Sequence, residues 1–173
     1  MKDYWLAKLI SSVTEVDSRK RLQKSIYLLQ RADCPLQFSY ILHYYGPYSF
    51  ELSGLIDQLK GADIIDESSE ATGFGNIRYR SKISQKGKPV LENFQRSKTG
   101  RRVYEQIKPF ISRFKDLNQE NLWVLELGAT VAYFYEGNWE GAQTRAAEFK
   151  RIRKNDSNLS KAIELAKRFL PTG

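Results

Sequence analysis

Few side chains in this 173-residue sequence are of types that do chemistry alone, and they are thinly spread. Cys34 and His43, each the single residue of its type, would be a nucleophile and a base if they met. Nothing in the sequence joins them, and Cys34 falls where a helix should end, so a small buried apolar role fits it better. One cysteine makes no internal disulfide, and one cysteine with one histidine makes no ordinary zinc site. Gly73-Phe74-Gly75 lacks both the strand-to-helix setting and the lysine of a phosphate-binding loop, and reads as the flexible tip of a hairpin. Glu126 stands inside an apolar run and needs a partner once buried; a structural ion pair suits it better than acid catalysis. No catalytic residue, metal or cofactor is therefore expected, and the protein is expected not to be an enzyme.

Binding chemistry is better represented. In residues 77–83, Ile77, Tyr79 and Ile83 alternate with Arg78, Arg80 and Lys82, which places a basic stripe on one face of a strand and turns the apolar residues to the core. Lys86, Lys88, Arg96, Lys98, Arg101 and Arg102 extend the charge. Arg78, Arg80, Lys82, Lys86, Lys88, Arg101 and Arg102 are accordingly the residues expected to meet a partner or a nucleic acid, set against the plainer reading of a solvated surface. Tyr40, Tyr44, Tyr45, Tyr48 and Phe50 cluster around Gly46-Pro47. Such rings stack on bases or anchor protein interfaces, but more often pack into a half-buried junction.

Helices and one hairpin must position these groups. Trp5, Leu6, Leu9, Ile10 and Val13 recur at helical spacing over residues 2–13. Asp17 or Ser18 caps a second helix with Leu22, Ile26 and Leu29 as its buried stripe, ended by Cys34-Pro35. An extended stretch, Phe38 to Tyr44, leads to the turn at Gly46-Pro47. Leu52, Leu55, Ile56 and Leu59 then mark a third helix ending near Gly61. Its outer face shows Glu51, Ser53, Gly54, Asp57 and Gln58, two carboxylates and no arginine, which disfavours reading of DNA by this helix. Ile64-Ile65, a polar loop through Gly75, and the strand 77–83 make a hairpin. Ser84 caps a helix through Phe94, and another runs from about Thr99 to Leu117, where Pro109 is expected to kink or split it. Three more helices follow, at about 119–136, 138–154 and 158–170.

The predicted fold is thus mainly α with a small β-hairpin: a winged-helix-like part over 1–97 and a helical bundle over 98–173, in one domain. Hydrophobic residues at 41% and charged residues at 28% fit a globular chain with a sizeable core. The first residues, Met1-Lys2-Asp3-Tyr4-Trp5, do not read as a secretory signal, and the longest apolar stretch, Leu122 to Tyr135, is too short for a membrane span. A cytoplasmic protein without membrane contact is expected. The net charge of +8 is uneven: residues 75–115 carry twelve Lys/Arg against two Asp/Glu, whereas 1–74 carry eight against ten and 116–173 eight against eight. This middle segment is suited to nucleic acid or to an acidic protein surface.

Two motifs carry a family resemblance. Arg21-Leu22-Gln23-Lys24-Ser25-Ile26-Tyr27-Leu28-Leu29-Gln30, followed by Leu42-His43-Tyr44-Tyr45-Gly46-Pro47-Tyr48-Ser49-Phe50-Glu51-Leu52, resembles the paired motif of the YwgA-like proteins and their SocA-like, Panacea-domain relatives. The resemblance is concentrated in residues 19–65, with similar spacing in the helical tail from Leu122. It implies a helical, winged-helix-like domain whose relatives are largely uncharacterised or act as antitoxins and proteolytic adaptors that bind a partner protein. It also implies that Tyr45, Gly46, Pro47, Tyr48 and Ser49 form a shared structural element. The expected function is binding of a partner protein, such as a toxin or an operon neighbour; the alternative is a nucleic-acid-binding regulator using segment 75–115. The turn itself is expected to be an architectural corner, with the binding surface elsewhere.

Overall fold

The protein is described by a computed structural model over residues 1–171. Among these residues eight α-helices and two antiparallel hairpins occur in the order α1 (Lys2–Ser11), α2 (Arg19–Arg31), β1 (Ile41–His43), β2 (Gly46–Tyr48), α3 (Phe50–Gly61), β3 (Ile65–Ala71), β4 (Ile77–Ile83), α4 (Gly87–Arg96), α5 (Lys98–Gln119), α6 (Leu122–Phe134), α7 (Trp139–Lys150) and α8 (Ser157–Lys167). Short polar side chains start most of the helices. Ser18 accepts the Arg21 backbone N–H, Ser49 that of Leu52, Ser97 that of Gly100, Asn121 those of Trp123 and Val124, and Asp156 those of Asn158 and Leu159. Each supplies an acceptor to a donor that the first turn leaves unpaired.

The mainly helical fold expected from the sequence is present, with one hairpin more than expected. The extended stretch before Gly46-Pro47 folds back on itself, pairing Ile41 with Tyr48 and His43 with Gly46. The second hairpin is longer than its apolar residues suggested. β3 continues through the polar run to Ala71 and pairs Ile65 with Ile83, Asp66 with Lys82, Glu67 with Ser81 and Glu70 with Arg78. Its sequence, Ile-Asp-Glu-Ser-Ser-Glu-Ala, has no alternation because most of it faces water. Near the tip Ile77 is exposed rather than in the core, so the inward row of β4 is Tyr79, Ser81 and Ile83. Val16, in the link between α1 and α2, bridges Ser81 through two backbone hydrogen bonds of 2.8 and 3.0 Å.

Pro109 does not split its helix: α5 is continuous over 22 residues. The proline forfeits one ladder donor there, while Val103, Ile107, Phe114 and Leu117 are buried on both sides of it. The Trp5 indole N–H adds a cross-link, donating to the Val103 carbonyl at 2.9 Å.

The centre of the molecule is α6, whose residues Val124 to Ala132 are all buried and which packs against α2, α7, α8 and β2. Close approach of α8 depends on Gly128, where a Cβ would stand 3.0 Å from a Leu165 methyl and 3.3 Å from the Ala162 carbonyl. On α2 the expected stripe Leu22, Ile26 and Leu29 is fully buried, and the polar Arg21, Gln23, Lys24 and Ser25 are buried as well. Two arginines of α2 serve helix ends. Arg21 donates to the carbonyls of Leu117 (3.2 Å) and Glu120 (2.6 Å) at the end of α5, and Arg31 donates to that of Ala132 (2.6 Å) near the end of α6. Cationic donors at helix C-termini satisfy free carbonyls and oppose the negative end of the helix dipole.

On the outer face of α3, a Cβ at Gly54 would point into open space, with nothing within 4 Å. Gly54→Ala is expected to raise stability by about 0.5–1 kcal/mol, because alanine restricts the unfolded chain at no steric cost. Chemical denaturation checks this.

Candidate functional site

Both halves of the sequence motif meet at one corner. Gln23 of α2 closes a two-way amide pair with Ser49: its side-chain N–H donates to the Ser49 carbonyl at 2.8 Å, and its side-chain oxygen accepts the Ser49 N–H at 2.9 Å. At the next residue, Lys24 donates through Nζ to the Pro47 carbonyl at 2.7 Å. Gly46 has φ +91°, a left-handed conformation that favours glycine, and its missing Cβ would stand 2.6 Å from Thr130 Oγ1. Gly46, Pro47 and Ser49 are buried, Tyr48 is half-buried and Tyr45 is exposed. The turn sits against α2 and α6 and leads through the Ser49 cap into α3.

Beneath the corner lies a buried charge cluster. Glu126 of α6, 4% exposed, forms ion pairs with Lys20, whose Nζ lies 3.1 Å away, and closely with Lys150 of α7. Lys24, 1% exposed, lies in the same field. Burial is the main influence on Lys24; the Glu126 charge partly offsets it while Lys150 and Lys20 add to it, so the ammonium is pulled down to about 7. Burial likewise lowers Lys150, against the opposing pull of Glu126. Lys24 in the unfolded chain holds its proton up to about 10.5, whereas the folded protein releases it near 7. Between these values the unfolded state binds more protons, so stability rises with pH across that window. The wild type is expected to gain roughly 2 kcal/mol over Lys24→Met between about pH 7 and about pH 9, read from denaturant midpoints. Parallel curves would contradict a buried Lys24.

Above the cluster a cavity of about 370 Å³ opens to solvent, lined by Arg19, Lys20, Gln23, Lys24, His43, Tyr45, Tyr48, Phe50 and Ser53. Lys20 Nζ sits 4.0 Å from the Tyr45 ring centre, a cation–π contact. Tyr48 meets Phe50 edge to face at 5.0 Å, and His43 lies 5.6 Å from Tyr48. The rings are more exposed than a packed junction requires: Tyr44 is 85%, Phe50 67% and Tyr45 56% exposed.

The basic residues singled out in the sequence are not gathered into one free face. Arg80 is held between Glu15 (2.8 Å) and Glu70 (3.1 Å), and Lys86 pairs with Asp63 at 2.9 Å. Arg78 and Lys82 stand opposite Glu70 and Asp66 across the hairpin. The acidic strand β3 thus balances the basic strand β4. Lys88 on α4 and Arg101 and Arg102 at the start of α5 are exposed, with no ion-pair partner among the described residues. Arg19 Nε lies 2.7 Å from Glu67, which also accepts from Arg19 NH2 at 2.8 Å and Lys60 at 3.3 Å; a further Arg19 bond reaches Asp57 at 2.6 Å. Burial opposes the Glu67 charge, but the Arg19 fork and Lys60 prevail and hold the carboxyl below its ordinary range.

Cys34 and His43 form no dyad: the thiol is buried and pushed up to about 11 by desolvation, while the imidazole is at the exposed corner. Among the described residues no group of three or more His, Cys, Asp or Glu side chains is placed to hold a metal ion, and no helix is long and apolar enough to cross a membrane. Sequence reasoning missed Arg19, Lys20 and Lys24 as site residues. The available signal was Lys20 and Lys24 at i, i+4 on a helix that must pack against the apolar α6 run, itself interrupted by Glu126.

Fold and site together define a mainly helical protein with two small hairpins, built around a Gln-Lys helix locked to a Gly-Pro-Tyr-Ser turn. The chain belongs to the YwgA family: it is 32% identical over 130 residues to the uncharacterized protein YwgA of Bacillus subtilis (strain 168), a match covering 75% of this chain and 72% of that protein. No family model matches the chain.

Proposed function

We propose that the protein is a non-enzymatic, cytoplasmic binding module, antitoxin- or adaptor-like in the manner of SocA-like relatives, that docks a partner protein on the motif corner. One observation carries this reading: Tyr44, Tyr45 and Phe50 present their rings to solvent from a corner whose core, Gly46 to Ser49, is fixed by hydrogen bonds from Gln23 and Lys24 and lies close against Thr130. Aromatic side chains on a rigid frame lose little conformational freedom on binding and are typical anchors of protein interfaces. This reading puts the binding surface at the corner rather than away from it, reversing the expectation drawn from the sequence. Tyr44→Ala with Phe50→Ala is expected to cost at least about 2 kcal/mol of partner affinity. Thermal stability should change little, since both rings are exposed. Titration with a partner co-expressed from a neighbouring gene checks both; retained affinity would sink the reading.

A winged-helix nucleic-acid role has a narrower footing in Lys88, Arg101 and Arg102, which are exposed and without an ion-pair partner among the described residues. If those residues hold phosphates, Arg101→Glu with Arg102→Glu weakens duplex binding and flattens its salt dependence.

A further inference from the structure

The cluster under the corner carries more positive than negative charge. Lys20 and Lys150 pair with Glu126, Lys24 lies in its field without an ion pair, and among the described residues no other carboxylate reaches ion-pair distance of any of the three. In its ammonium form Lys24 has three protons to donate and gives one to the Pro47 carbonyl. Although almost wholly buried, Lys24 lines the floor of the 370 Å³ cavity, and Lys20 stands beside it. The walls are Tyr45, Tyr48 and Phe50. A cationic floor beneath aromatic walls selects an anionic tip on an apolar body. The volume lies within the range of small-molecule sites, roughly 300–1,000 Å³.

We propose that this cavity is a binding site for a single carboxylate carried on an apolar or aromatic body, with the carboxylate on Lys24 and Lys20 and the body between Tyr45, Tyr48 and Phe50. A monoanion fits better than a phosphate. Arg19, also in the lining, is already committed to Glu67 and Asp57, and Lys20 is shared with Glu126, so the cavity has little further positive charge for a dianion. The site does not depend on the docking reading: a partner's chain terminus and a free aromatic acid present the same chemistry.

Binding should also be linked to protons. Lys24 is faced by Lys20 on its own helix, Glu126 from α6, Lys150 from α7 and the Pro47 carbonyl from β2, with Arg19 and the rings of His43, Tyr45 and Tyr48 around the cavity. An anion placed there favours the protonated ammonium, so affinity falls as pH rises through the neutral range.

Calorimetry on the full chain with 3-phenylpropionate, its neutral amide, a short peptide ending in a free phenylalanine carboxylate, the same peptide amidated, and inorganic phosphate tests this. Both acids are expected to bind at least about tenfold more tightly than their amides, as a charge-assisted contact requires. The advantage should vanish in Lys24→Met. The wild type should bind several-fold more weakly at about pH 8.5 than at about pH 6, and His43→Gln should keep that dependence. The wild-type pH comparison needs no variant to fold. Acids no better than amides, phosphate tighter than either acid, or full affinity in a folded Lys24→Met would each overturn the site. A peptide acid tighter than 3-phenylpropionate identifies a chain terminus as the source, and equal affinities identify a free small acid; either result upholds the carboxylate site. Acid binding without any protein partner would retain the pocket and refute the docking surface, whereas partner binding without acid binding would do the reverse.

Discussion

Replacing Glu126 by glutamine is expected to lower the stability of the protein by about 3–5 kcal/mol, the cost of leaving buried cations without their counter-charge. The glutamine keeps the shape and can still accept a hydrogen bond, so the loss reports charge rather than packing. Lys20 and Lys150 both pair with this one carboxylate, and Lys24 lies within its field. For a domain of this size the melting temperature should fall on the order of 10 °C, at roughly 2–4 °C per kcal/mol. Adding Lys150→Met should recover part of the loss, because removing a buried cation together with its partner is far less costly than removing the partner alone. A change below about 1 kcal/mol in the single variant would mean that water, not Glu126, solvates these lysines.

The second large effect is expected at Gly46. Alanine there must hold φ near +91°, and its Cβ would meet Thr130 Oγ1 at 2.6 Å. The backbone conformation alone costs about 1–2 kcal/mol, and the clash brings the total to roughly 2–4 kcal/mol. Thr130→Ala in the same chain removes the clash but not the backbone strain, so recovery should be partial. Because Thr130 Oγ1 donates to the Glu126 carbonyl at 2.8 Å, movement at this point is passed directly to the charge cluster. Equilibrium unfolding of the two single variants and the double variant separates the terms.

Much of this architecture can be read from residue patterns, and the exceptions share a cause. Leu22, Ile26 and Leu29, or Leu52, Ile56 and Leu59, announce helices because burial follows the helical period. β3 is invisible as a strand in the sequence because Asp66, Ser68, Ser69 and Glu70 face water, leaving no alternation to detect. Its register against β4 is also what neutralises the basic stripe, which looks free only while the acids opposite are assigned to a loop. The site is obscured for a related reason. Arg21, Gln23 and Lys24 occupy positions that a polar–apolar pattern gives to solvent, yet α6 is apolar on nearly every side and α2, packed against it, is buried on both faces. Polar residues there are kept by specific partners, the Glu120, Ser49 and Pro47 carbonyls, which pattern alone cannot supply. The turn motif is legible as a corner. What the sequence does not convey is that its rings point outward over a charged floor.

The most direct measurement of the corner's role is a paired affinity comparison with a partner co-expressed from a neighbouring gene, one arm carrying Tyr44→Ala and Phe50→Ala and the other Arg101→Glu and Arg102→Glu. The expected result is loss of at least about 2 kcal/mol of affinity in the first arm and near-wild-type binding in the second. Wild-type affinity in the aromatic variant, with binding lost on charge reversal, would contradict the corner as the docking surface and place it on α4 and α5.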